Sequence, residues 1–151
     1  MNALHPARFF LKEIFKYICI LLFCYASISK LLDFEQFRIQ LGQSPMLSAF
    51  ADYLTVGVPS LELFIVALLS IPRLELIGFY GFYSLMVMFT TYIILILNFA
   101  SYVPCSCGGV LQNMNWNDHL LFNLSLVLLA ILVIFSYRNM GNHELKRYNG
   151  S

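Results

Sequence analysis

The sequence predicts an all-α membrane protein: a four-helix transmembrane bundle with a short interfacial helix between spans one and two. Three observations carry this. Of 151 residues, 60% are hydrophobic and only 11% are charged, against about 25% charged in soluble domains. The apolar residues fall into four long runs. Each run approaches or exceeds the length needed to cross a hydrocarbon core of about 30 Å at 1.5 Å per residue.

Residues 1–13 form a short amphipathic lead with Arg8 and Lys12. The first span is expected over 14–32. Lys16 lies near its start, where a lysine can snorkel to the headgroups. Cys24-Tyr25-Ala26 matches a signal-cleavage pattern poorly, so an uncleaved first span is expected. In residues 33–43, Phe34, Phe37 and Leu41 recur at helical spacing, which suits a helix lying on the membrane surface. Ser44-Pro45 then reads as an N-cap followed by proline at the first helical position.

The second span is expected over 54–71, with Pro59 kinking it. Pro72-Arg73-Leu74-Glu75 leaves room only for a turn. The third span runs over 76–99 and the fourth over 120–137. Residues 1–137 thus read as a single four-span membrane domain and 138–151 as a cytoplasmic tail.

An even number of spans puts both termini on one side. That side, with the 72–75 turn, carries Arg8, Lys12, Lys16, Arg73, Arg138, Lys146 and Arg147; the other carries Lys30 and Arg38. Basic residues stay cytoplasmic. The expected orientation therefore has both termini in the cytoplasm, and in a bacterium the 100–119 loop faces the periplasm. Membrane lipid is the first expected partner. A net charge of +1 without a basic, aromatic-interleaved patch gives no sign of nucleic-acid binding.

The loop holds Pro104-Cys105-Ser106-Cys107-Gly108-Gly109. Proline fixes φ and glycine permits φ > 0, so the two thiols lie in a turn. Cysteines one residue apart can close a small strained disulfide, and such bonds are labile or catalytic rather than structural. The periplasm is where disulfides form and persist. Cys105 and Cys107 are therefore the candidate redox pair, which makes the chain a candidate thiol–disulfide oxidoreductase component. Lys30, at the outer end of span one, and His119, at the start of span four, are candidate supporting groups. Glu62 is another, because an acid within a span must hold a proton or find a partner. Lys30 is the partner expected if Pro59 brings the outer ends of spans one and two together. Cys19 and Cys24, five apart in span one, read as structural. Trp116 reads as an interface anchor.

Three motifs together resemble a known family. Ser29-Lys30-Leu31-Leu32-Asp33-Phe34 is similar to a motif of DoxX-like membrane proteins that follows the first span. Val58-Pro59-Ser60-Leu61-Glu62-Leu63 resembles their second-span proline and glutamate motif. Cys105-Ser106-Cys107-Gly108-Gly109 resembles the cysteine motif of the MauE branch, the methylamine utilisation proteins, with Gly108 standing where many members have a bulky residue. The resemblance spans about residues 14–137. It implies a redox-associated role beside a thioredoxin-like partner in forming or maintaining disulfides of exported proteins, with Cys105 and Cys107 as the redox pair and Lys30 and Glu62 as the family's polar positions.

Two other readings stay open. One is an accessory subunit of a larger envelope membrane complex. The other is a soft-metal handler, for copper(I), since thiolate and thioether ligands suit that ion. The sequence identifies no metal site and fixes no cofactor, although aromatic surfaces between the spans could hold a quinone ring.

Overall fold

The computed structural model describes residues 4–44, 46–99 and 115–148, with side chains described for 9–44, 46–99 and 115–137. All regular structure among the described residues is helical. Helix α1 covers Leu4–Leu32, α2 Phe34–Gln43, α3 Ala51–Ser70, α4 Glu75–Phe99 and α5 Trp116–Tyr148. Four stretches are long and apolar enough to cross a membrane: Phe9–Leu32, Ser48–Ser70, Glu75–Phe99 and Trp116–Tyr137. The four expected spans and the short helix between the first two are present. The chain is a multi-pass membrane protein.

Two elements differ from the sequence reading. The amphipathic lead is the first part of α1 rather than a separate segment. Ser44 closes α2 instead of opening the next helix: its backbone N–H bonds to the Leu41 carbonyl. The chain then turns through a short 3-10 segment, Ser48–Phe50, before α3. Ser-Pro matched the capping pattern, but the Ser44 hydroxyl is taken by the Tyr92 hydroxyl at 2.9 Å. Pro59 lies inside α3, whose helix runs unbroken from Ala51 to Ser70.

One stripe of α1 faces inward: Lys12, Phe15, Cys19, Phe23 and Ser27 are all buried. These positions recur every three or four residues, as one face of a helix requires. Phe15, Cys19 and Phe23 enter the main core with Ile65 and Leu69 of α3, Phe79, Phe82, Leu85 and Met86 of α4, and Leu126, Ala130 and Val133 of α5. Phe15 stacks on Phe79 and meets Phe82 edge-on, while Phe23 leans on Phe82. The order of these contacts makes α1 and α4 parallel. Gly78 allows the α3–α4 hairpin to close, since a Cβ there would come within 2.8 Å of the Leu69 backbone nitrogen.

The bundle is therefore layered. A belt of phenylalanine and aliphatic side chains fills the middle. Buried polar groups occupy both ends.

Candidate functional site

At the end where α1 finishes, Glu62 projects from α3 into the bundle and is fully buried. Lys30 and Ser27 reach it from α1. The Lys30 ammonium meets Glu62 Oε1 at 2.6 Å, and the Ser27 hydroxyl donates to Oε2 at 2.9 Å. Each carboxylate oxygen thus has its own donor. Ser27 and Lys30 can share one carboxylate because residues three apart lie on the same helix face. A lone carboxylate in hydrocarbon costs several kcal/mol, and its neighbours are what make burial tolerable.

Aromatic rings complete the setting of Lys30. Its ammonium lies 5.9 Å from the centre of Phe37 on α2 and 5.8 Å from that of Phe89 on α4. Both distances are within cation–π range. The side chain of Lys30 is 17% exposed and that of Glu62 1%. His119 starts α5 at this same end, half-buried and within electrostatic range of Lys30. Its ring stacks on Trp116, 6.3 Å between centres. The structure thus brings Lys30 and Glu62 into direct contact and sets His119 nearby. Cys105 and Cys107 lie outside the described residues. The chain leaves α4 at Phe99 and re-enters α5 at Trp116 on this end of the bundle.

Sequence reasoning missed Ser27, although its three-residue offset from Lys30 was a usable signal. It also missed a second ionic cluster at the opposite end. There Glu75, in the first turn of α4, is buried. Lys12 lies 3.3 Å from Glu75 Oε2 and Lys16 lies 3.6 Å from Oε1. Glu13 pairs with both lysines. The Tyr137 hydroxyl donates to Glu75 Oε2 at 3.4 Å, and its ring lies 5.0 Å from the Lys12 ammonium. Lys16 is therefore tied to α4 rather than only reaching for headgroups, and Glu75 belongs to the bundle rather than to the turn. An aromatic groove between α4 and α5, lined by Tyr80, Tyr83, Ile131, Ile134 and Phe135, also sits in this half.

Among the described residues, no group of three or more His, Cys, Asp or Glu side chains converges as a metal site would require. Cys19 is completely buried in the core and Cys24 is half-buried; neither is in a disulfide.

What the Lys30 site offers chemically is an ammonium held by a carboxylate, an acid bound by two donors and an imidazole nearby. Such a set can stabilise an anion or hold a proton.

Comparison with known protein families matches residues 8–136 to the family described as methylamine utilisation protein MauE. No curated protein and no solved structure matches.

Proposed function

The chain belongs to the MauE family, and from that premise we propose that it is a membrane thiol–disulfide redox component that works with a thioredoxin-like or exported protein partner. Family membership suggests a membrane accessory protein; the redox chemistry and the partner are our reading. The proposed setting is a bacterial inner membrane, with both termini in the cytoplasm and the Cys105–Cys107 turn in the periplasm.

One observation carries the reading: a buried ammonium–carboxylate pair, Lys30–Glu62, lies at the end of the bundle to which the cysteine segment is joined. A thiol must ionise before it can attack a disulfide, and a nearby cation favours the thiolate. Glu62 balances Lys30 and keeps the ammonium from drifting to the headgroups. In the proposed exchange a partner thiolate attacks one sulfur of a Cys105–Cys107 disulfide. The other sulfur leaves as a thiolate and takes up a proton. A second partner thiol, losing its own proton, then displaces the first sulfur. The partner ends with a disulfide and this chain with two thiols, so a thioredoxin-like protein or a quinone must reoxidise it.

Trapping tests this. One of Cys105→Ser or Cys107→Ser is expected to accumulate a mixed disulfide with a membrane or periplasmic protein. Full function in the native membrane with both cysteines replaced would overturn the redox reading. It would leave the accessory role, in which a stoichiometric partner co-purifies through gentle extraction. Retention of copper(I) without a reversible thiol couple would instead favour metal handling.

A further inference from the structure

Helix α2 lies over the Lys30 end and is fastened there differently from the spans. A single residue, Asp33, separates it from α1, with φ −103° and ψ 41°. Backbone bonds from Asp33 to Ser29 and from Phe37 to Asp33 bridge the break, so any swing of α2 about Asp33 has to bend or break these two bonds. Its inner face carries Phe37, Gln40 and Leu41. Phe37 and Leu41 pack with Ala51, Leu47 and Leu54, in a small cluster separate from the main core. At its far end the Tyr92 hydroxyl donates to Ser44 at 2.9 Å. Arg38 also reaches Asp52 at 2.7 Å, but both side chains are exposed, and such pairs contribute little.

Gln40 is the anomaly on this face. It is 5% exposed, and no hydrogen-bond donor among the described residues reaches its side-chain oxygen. A buried acceptor without a donor destabilises the closed arrangement, and water would satisfy it if α2 lifted. A small apolar cluster, the Tyr92–Ser44 bond, an exposed ion pair and an unsatisfied amide oxygen hold α2, and elements with few buried contacts are the ones that open locally.

We propose that α2 is a lid over the Lys30–Glu62 pair, pivoting at Asp33 and latched by Tyr92 to Ser44, and that its opening exposes the Lys30 ammonium at the membrane surface. Phe37 travels with the lid and uncovers the cation it now shields. The inference does not depend on the thiol reading, because amine chemistry reports it directly.

The test uses the full chain purified in detergent. The rate at which a water-soluble N-hydroxysuccinimide ester acetylates Lys30 is followed by mass spectrometry, with hydrogen exchange of α4 and α5 recorded on the same samples. Tyr92→Phe and Ser44→Ala remove the same latch from opposite sides. Each should speed Lys30 acetylation about fivefold, the factor one net hydrogen bond supplies. Gln40→Met fills the same space without the unsatisfied oxygen and should slow it by a similar factor. Exchange in α4 and α5 should not change. Equal Lys30 rates in the wild type and all three variants would overturn the lid. So would an acceleration in both latch variants matched by equal loss of protection in α4, which would mean that the bundle loosens as a whole.

Discussion

Lys12 and Lys30 stand eighteen residues apart on α1, five full helical turns, and each ends on a buried carboxylate of a different helix. Lys12 meets Glu75 of α4 and Lys30 meets Glu62 of α3. At 1.5 Å per residue the two anchor points are about 27 Å apart. The first span is thus fixed by ion pairs near both ends of the bundle, with the phenylalanine belt between them. That belt separates the two polar ends.

Removing one member of the Lys30 pair leaves the other buried and uncompensated. Lys30→Met or Glu62→Leu alone should destabilise the bundle by about 3–5 kcal/mol. The double replacement should recover most of that loss, because a packed apolar pair removes both desolvation penalties. Thermal unfolding in detergent, followed by circular dichroism, measures the cycle. Additive losses in the double variant would show that the two residues do not act as a pair.

Glu75 accepts from Lys12 and Tyr137 and forms an ion pair with Lys16 at 3.6 Å. Glu75→Leu should therefore destabilise more than Tyr137→Phe, which removes one long hydrogen bond worth about 1 kcal/mol or less. The same unfolding assay ranks them. A reversed order would mean that the aromatic packing of Tyr137, not the carboxylate, holds this end.

Gly78 and Gly57 make a matched comparison within the spans. A methyl group at Gly78 would meet the Leu69 backbone nitrogen at 2.8 Å, whereas nothing lies within 4 Å of one at Gly57. Gly78→Ala should cost about 1–3 kcal/mol, as overpacking does. Gly57→Ala should be neutral or stabilising by up to about 1 kcal/mol through helix propensity. Equal midpoints for the two would contradict the close α3–α4 contact.

Thiol labelling separates the cysteines by place. Cys19 is completely buried and should resist maleimides until the protein is denatured. After mild reduction of intact spheroplasts, a membrane-impermeant reagent should label Cys105 or Cys107. Labelling of those two only after the membrane is broken would reverse the proposed orientation.

Much of this architecture was legible because a membrane imposes a simple pattern. Apolar runs long enough to span, and Phe34, Phe37 and Leu41 at helical spacing, located the four spans and α2, although α1 begins at Leu4, ahead of the expected 14, and α5 runs on to Tyr148, past the expected 137. Glu62 stood out because an acid eight residues into an apolar run needs a partner, and Lys30 was the near basic residue on its side. The Lys12–Glu75 contact was not legible. Each residue had a sufficient local explanation, one in an amphipathic lead and one in a turn. Their meeting depends on α1 facing α4 across the bundle, which no local pattern encodes. Ser44 misled for the opposite reason: Ser-Pro is a genuine N-terminal signal, but its hydroxyl was claimed by Tyr92, far away in sequence.

The redox reading rests finally on whether Cys105 and Cys107 form a reversible couple. The direct measurement is the thiol state of the purified chain, with Cys19 and Cys24 replaced by alanine, equilibrated across glutathione buffers of graded potential and quenched with an alkylating reagent. The account predicts a single two-electron transition, in which both thiols appear together and tenfold changes in the equilibrium constant track about 30 mV. Thiols that stay fully reduced in the most oxidising buffer, or that oxidise only between molecules, would contradict it.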